Sequence, residues 1–444
     1  MVSFSTRVGE QFDRIDERNA MLNALLFVRD RDEVLAEAKA IEERIAAGTA
    51  GRLAGLTVAV KANINVVGLP VSCASRVLES YRATYDADVV SRIRAEDGLI
   101  IGIANCDEFA CGSSGTHSAF GATRNPIDEE RIAGGSSSGS AVAVAAGFCD
   151  VALGTDTGGS VRNPASHCGV VAIKPSYGRV SRHGIVDLSM SLDQVGPVAR
   201  DVEDALRVLE VIAGYSEHDA TSVDVPVPRL TTQRPSSERR PRCAVLDLSD
   251  LHVDPNVLAV FDRSVGLLEA VLGPLERVSI PEAPLSVATY YPIVYTEFYS
   301  STRRFDGRRY GLLIDDHAGE EVRRRIRAGA RITHAEDEHR FYRRALSVRA
   351  SITASFDDAF KEFDVILSPV VPWVARRIDE SVSPEEEYDA DALTIPANLA
   401  GICAASIPAG EALGLPVGIQ LVSRRFGEDD LAAGMRIVSD VLSQ

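Results

Sequence analysis

Residues 134–163 read GGSSSGSAVAVAAGFCDVALGTDTGGSVRN, and this stretch constrains the fold more than any other. Two glycine–serine turns, Gly134–Ser140 and Gly158–Ser160, bracket one apolar run that divides into a helix and a strand. Glycine permits positive φ and close approach of the backbone to another group. A serine beside such glycines can be presented on a turn while neighbouring N–H groups point at the same spot. A nucleophile and an oxyanion site can be built together in this way, provided the chain also supplies a base.

The flanking sequence alternates helix and strand patterns. Asp86–Asp97 reads as a helix and Leu99–Cys106 as a strand; Ala141–Ala146 and Val151–Gly154 repeat the order. That alternation predicts an α/β sheet with helices on its faces. Further strands are expected at Leu56–Val66, Val170–Lys174, Cys243–Leu248, Arg277–Ile280, Asp364–Pro372 and Ile419–Val422. Helices are expected in Phe12–Ala46 (broken near Asn23–Arg31), Asp201–Ala213, Asn256–Leu272, Glu320–Ala328, Arg340–Phe363 and Asp429–Leu442. Gly196–Pro197 reads as a turn, Ser222–Arg242 as a proline-rich excursion, Ser381–Asp391 as an acidic loop, and Ile407–Gly418 as a turn-rich connection.

The chain has 444 residues, 45% of them hydrophobic and 25% charged, enough for a large packed core. A net charge of −17 makes it a poor primary binder of phosphate backbones, so any nucleic acid is expected to be held by another subunit. Seven cysteines with no CxxC pair read as reduced, buried small residues of a cytoplasmic protein, with no zinc site. The N-terminal residues lack the apolar core of a signal peptide, and the apolar runs are too short and glycine-interrupted to span a bilayer.

Only four lysines stand against 43 arginines. A lysine that persists in such a chain points to a place where arginine cannot serve, because only lysine can lose its proton near neutral pH. Lys61 sits in the apolar strand pattern LTVAVKANINV, where burial disfavours its charge. The plain alternative is an edge-strand lysine reaching water.

Lys61 precedes Ser136 by 75 positions and Ser160 follows it by 24. With the run Gly134–Ser140 and the segment GTDTGGSVRNPASHCG, this arrangement resembles the amidase signature family. The resemblance implies an α/β fold with a central mixed twisted β-sheet covered by helices on both faces. It implies a single domain over 1–444: an N-terminal helical segment (1–50), a signature core (51–215) and a second lobe (216–444). Ser160 would be the nucleophile, Ser136 the bridge that relays its proton, and Lys61 the neutral base. The Gly135–Ser136 peptide bond would be cis. The backbone N–H groups of Thr157, Gly158, Gly159 and Ser160 would form the oxyanion hole. Asp156 would organise the loop, with Arg162 pairing with it or facing the substrate. Ser137, Ser138 and Ser140 read as turn and helix-cap residues. His167 and Cys168 lack further ligands at metal-binding spacing. His117 and His183 have no partner visible in the sequence.

The segments TEFYSSTRRFDGRRYG, EVRRRIRAGA and DALTIPANLAG extend the resemblance to the A subunits of aspartyl/glutamyl-tRNA amidotransferases. Such a subunit hydrolyses glutamine and passes ammonia onward. Subunits B and C would be the partners, with tRNA, ATP and Mg handled by the partner and no cofactor in this chain. The resemblance points to Arg349 for the glutamine α-carboxylate and to Asp391 for its α-ammonium. The plain alternatives are a surface helix arginine and a helix N-cap. Two other functions stand beside this one: a stand-alone amidase acting on a small amide, and a phosphate-cradling protein, although GxxxxGK[ST] is absent.

Overall fold

The structure is a computed structural model that describes residues 3–231, 240–333 and 339–443. The centre of the proline-rich segment Ser222–Arg242 lies outside the described residues. One eleven-stranded sheet runs through the molecule. Its strands in chain order are β1 (Leu25–Val28), β2 (Thr57–Lys61), β3 (Leu99–Ala104), β4 (Val151–Asp156), β5 (Val171–Lys174), β6 (Gln194–Ala199), β7 (Cys243–Leu246), β8 (Glu276–Val278), β9 (Val365–Pro369), β10 (Cys403–Ala412) and β11 (Leu415–Ser423). The spatial order is β1-β3-β2-β4-β6-β5-β10-β11-β9-β7-β8.

The sheet is mixed. β2 runs parallel to β3 and β4, and β7 parallel to β8 and β9. The pairs involving β1, β5, β6, β10 and β11 are antiparallel. Strands from both sides of residue 215 share it, because β10 pairs with β5.

Helices cover both faces. Side chains alternate along a strand, so Val58 and Val60 face one way and Ala59 and Lys61 the other. Val58 and Val60 pack in a core shared with Ile93, Leu206, Leu209 and Met435, from the helices Asp88–Ala95, Val202–Ile212 and Glu428–Leu442. Ala59 packs instead with Val8, Ala38, Val142 and Ala165, from Phe4–Leu22, Arg31–Ala47, Ser138–Ala145 and Arg162–Cys168. The buried valine-rich β2, with parallel neighbours on both sides, is the pattern expected of a central strand. Lys61 is therefore not on an edge.

Several expectations change. The break inside Phe12–Ala46 is β1, an edge strand beside β3. Gly196–Pro197 lies within β6, where Pro197 sits opposite Leu153. Ile407–Gly418 is most of a β10–β11 hairpin. Ser381–Asp391 contains a short helix, Pro384–Asp389, started by a capping box between Ser383 and Glu386. The long helix Ser286–Thr302 was not expected; it carries Pro292 in its interior, and proline there masks a helical pattern.

Candidate active site

Lys61 closes β2 and is fully buried. Its Nζ lies 2.7 Å from Ser136 Oγ, 2.9 Å from Thr155 Oγ1 and 3.0 Å from Ser137 Oγ. Burial pushes the ammonium down from its usual value, against the opposing pull of Cys106, Asp107, Asp193 and Asp156. These three partners are hydroxyls; the Thr155 carbonyl oxygen, at 3.4 Å, is a more distant fourth. Ser137 donates its own proton to Thr155 O at 3.1 Å, so it can only accept from Lys61. A neutral amine has two N–H groups and one lone pair. Those two donors suit Ser137 and Thr155, and the lone pair is left for the Ser136 proton.

The Gly135–Ser136 peptide bond is cis. Gly134 has φ +77°, and a Cβ there would sit 2.4 Å from Asn163 Oδ1, so the first turn accepts only glycine at that position. The second turn follows β4. Ser160 is 5% exposed and its carbonyl accepts from Ser137 N–H at 3.0 Å, which stitches the two turns together. At Gly159, φ is +145° and a Cβ would meet Thr394 Oγ1 at 2.3 Å.

Asp156 organises this turn. It accepts from Gly159 N–H at 2.9 Å, Val161 N–H at 3.2 Å and Asn398 Nδ2 at 2.8 Å. Burial alone would raise its pKa; the Arg162 guanidinium reverses that and holds it below the usual carboxylate range. Arg162 pairs with Asp156 and also donates to Thr394 O, Gln420 and Asn398, so it braces the loop and does not face substrate. Of the four amides expected in the oxyanion hole, that of Gly159 donates to Asp156. Among the described residues, the amides of Thr157, Gly158 and Ser160 make no hydrogen bond within the chain, and these three are the available donors.

Ser138 and Ser140 donate to Thr123 Oγ1 and Leu153 O and do not cap the helix that they begin. Ser137 touches Lys61 directly, more than a turn residue was expected to do.

Asp391 is buried beside the second glycine turn, within reach of Gly159 and accepting from Asn163 Nδ2 at 3.0 Å. Burial raises its pKa to about 7. Its side chain is not a helix cap: the helix Ile395–Leu399 begins after Thr394, which hydrogen-bonds Gly158 O.

Arg349 does not join this group. Its Nε donates to Leu399 O at 2.9 Å, and its two Nη atoms donate to Ser191 Oγ and Ser191 O at 3.0 Å. Burial lowers its pKa, and the largest charge effects on it come from Glu297, Tyr177, Tyr342 and Arg425. Beside Arg162, Arg325 also acts by its charge on Asp391. It is 4% exposed, donates through Nε to Glu321 Oε1 at 2.6 Å, and lies over the Tyr291 and Tyr388 rings. Its two Nη nitrogens make no hydrogen bond among the described residues, so a carboxylate could take both. Burial would raise Glu321; the charge of Arg325 overrides it and holds Glu321 at about 2. Tyr290 lies against Gly158 and completes the wall.

The two isolated histidines acquire surroundings. His117 pairs with Glu387 at 2.9 Å, which overcomes its burial and raises it to about 9. His167 is buried without a partner for Nδ1 among the described residues and is held down at about 4 by burial and by the Arg376 charge.

A buried base against a hydroxyl, beside a glycine-rich turn with free amides, is equipment for acyl transfer. Residues 8–432 match the family model described as Amidase. The A subunit of the glutamyl-tRNA(Gln) amidotransferase of Methanocaldococcus jannaschii is 44% identical over 97% of each chain. Its counterpart in Symbiobacterium thermophilum is 44% identical over 90% of this chain and 86% of its own. Among solved structures, the A subunit of the glutamyl-tRNA(Gln) amidotransferase of Thermotoga maritima superposes with a TM-score of 0.83 at 38% identity, covering 98% of this chain and 91% of its own. No helix among the described residues is long and apolar enough to cross a membrane. With the Lys61–Ser136 contact and both glycine turns in place, the chain belongs to the amidase family.

Proposed function

We propose that this chain is the glutaminase subunit of a tRNA-dependent amidotransferase. The observation that carries the reading is the placement of Asp391 and Arg325, one acid and one arginine within electrostatic reach of each other, around the turn that bears Ser160. Free glutamine presents an α-ammonium and an α-carboxylate to match them. The identity to named A subunits over almost the whole chain supports the same substrate.

In this reading Ser160 Oγ attacks the carboxamide carbon. Its proton passes to Ser136, whose own proton moves to the neutral Lys61. The amides of Thr157, Gly158 and Ser160 hold the oxyanion. Collapse of the tetrahedral intermediate returns the proton to the departing nitrogen and releases ammonia, leaving a glutamyl ester on Ser160. Water, activated by the same relay, then frees glutamate. Subunits B and C would be the partners. One of them would hold the misacylated tRNA and use ATP and Mg to activate its Glu or Asp side chain for the ammonia; the acidity of this chain agrees with that division.

The test is ammonia release from glutamine by wild type and Ser160→Ala, with and without the partner subunits. Release by wild type, stimulated by the partners and abolished in Ser160→Ala, supports the reading. Equal release from both chains removes it. Robust turnover of simple amides by the chain alone, with none of glutamine, makes it a stand-alone amidase instead.

A further inference from the structure

We propose that Asp88, His183 and His218 form a binding site for a divalent transition-metal ion, with zinc as the first choice. The three offer one carboxylate oxygen and two imidazole nitrogens, all within 4.8 Å of one another. Two imidazoles and one carboxylate are a donor set that zinc takes readily, with water at the fourth position. Ligand atoms about 2 Å from a tetrahedral ion stand about 3.3 Å apart. Asp88 Oδ1 and His218 Nδ1 are already separated by 3.3 Å. The His218 side chain is 58% exposed, so it can turn to complete the set.

The surroundings hold the ligands without occupying them. Asp88 Oδ2 accepts from Ser181 Oγ at 2.7 Å and from Ser216 Oγ, which leaves Oδ1 turned toward the histidines. The same two hydroxyls accept the backbone N–H groups of His183 and His218 at 3.1 and 3.2 Å. Asp88 N–H donates to His183 O, and Gly184 packs so tightly on Ala87 that a Cβ would approach its Cα to 2.5 Å. The His183 and His218 rings lie 4.9 Å apart. Arg92, which lines the cavity beside Asp88, donates to the carbonyls of Ala213, Gly214 and Tyr215 instead of the carboxylate. Cavities of about 470 and 620 Å³ open on either side and share His218, giving an ion and its water a way in.

The site lies apart from the Lys61 relay but is mechanically joined to it. Gly184 O accepts from Asn65 N–H, and Val186 exchanges hydrogen bonds with Asn63, whose side chain also donates to Thr155 Oγ1. A metal would clamp the 181–186 segment to the start of the helix Asp88–Ala95 and so stabilise the fold without entering the chemistry. The sequence showed no metal site because these ligands span 130 positions and follow no spacing motif.

The experiment strips the full chain with a chelator and titrates it with Zn²⁺ against a chromophoric zinc indicator. Thermal unfolding and glutaminase activity are read in parallel. The expected result is one equivalent bound and a raised Tm. His218→Ala should weaken binding at least tenfold while leaving basal activity unchanged. The double variant His183→Gln/His218→Ala should lose binding and the Tm shift. No saturable binding by wild type, or wild-type affinity in His218→Ala, whose exposed side chain can be removed without loss of fold, overturns the proposal.

Discussion

Lys61 and Lys174 are both fully buried, yet the nearest partners of Lys61 are hydroxyls, with the Thr155 carbonyl farther off at 3.4 Å, whereas those of Lys174 are carbonyl oxygens. Lys174 Nζ is ringed by three carbonyl-type oxygens: Gln194 Oε1 at 2.7 Å, Pro175 O at 3.0 Å, and Ile402 O. Such oxygens only accept, and three of them match the three N–H groups of an ammonium. Burial and the Arg162 charge push Lys174 down to about 7, but this cage needs the proton and makes it a structural cation. Lys61 faces hydroxyls, and a hydroxyl can give its proton away. The geometry thus separates a base from a brace at two positions equally deep in the sheet.

Lys61→Arg should therefore abolish turnover, because a guanidinium cannot give up its proton. A loss of about 10²–10⁴ in kcat is expected for a missing general base. The pH profile gives the sign. At low pH Lys61 is an ammonium and cannot accept, so kcat/KM should rise with pH through a midpoint below the 10.5 of free lysine. Stability should follow the same direction. Between the folded pKa and 10.5 the unfolded state binds more protons at this group, so its contribution to folding improves as pH rises through that window. Lys61→Met should flatten both effects, as read by urea unfolding and initial rates at several pH values.

The Asp156–Arg162 pair predicts a large stability effect. Both side chains are fully buried at 3.0 Å. Removing one partner of such a pair costs about 3–5 kcal/mol, because the other charge is left buried and unpaired. Arg162→Met should lower the urea midpoint accordingly and lower activity, because Asp156, which holds the Gly159 and Val161 amides, loses its counter-charge. A variant that kept full activity would show that the turn holds its shape without the pair.

Asp391 predicts a pH-dependent KM. Burial raises its carboxyl to about 7, so it holds its proton to a higher pH than an exposed carboxylate does. An arriving ammonium needs the carboxylate. KM for glutamine should fall as pH rises through that value and level off above it. Asp391→Asn should raise KM about 10–100-fold, the loss expected for a charged hydrogen bond of about 1.5–3 kcal/mol, and remove that pH dependence. The sign for stability is reversed. The folded protein holds the Asp391 proton more tightly than the unfolded chain, so this group's contribution weakens as pH rises from 3.8 through about 7.

The legible part of this protein was what the chain writes locally. Lys61, Ser136 and Ser160 fall within about a hundred positions, each in a segment whose turn chemistry or burial announces itself. The alternation that marks β2, β3 and β4 was equally readable. The pairing of His117 with Glu387 joins positions 270 apart, and no periodicity encodes it. The β10–β11 hairpin was hidden because Pro408, Gly410, Gly414 and Pro416 read as loop; a register shift between Pro408 and Gly410 lets the strand absorb its irregular residues. The Ser286–Thr302 helix, which brings Tyr290 and Tyr291 to the site, was concealed by Pro292.

Arg325 was missed for a different reason: it stands among five arginines between Arg323 and Arg331. A signal was present. Val322, Ile326 and Gly329 mark the inward stripe of the helix Glu320–Thr333, and Arg325 falls on that stripe while Arg323 and Arg327 do not. An arginine on a core-facing stripe must have a partner, and Glu321 one turn earlier is that partner. The comparison of Arg325 with Arg349 decides the carboxylate site. Arg325→Lys keeps a charge near Glu321 but loses the planar fork, so KM for glutamine should rise about tenfold or more with little change in kcat. Hydrolysis of an amide lacking the α-carboxylate should be unaffected by the same change. Arg349→Lys should loosen the contact to Ser191 and Leu399 and lower stability, with KM for glutamine altered far less. The reverse pattern, with KM following Arg349 and stability following Arg325, would return the carboxylate to the position that the sequence first suggested.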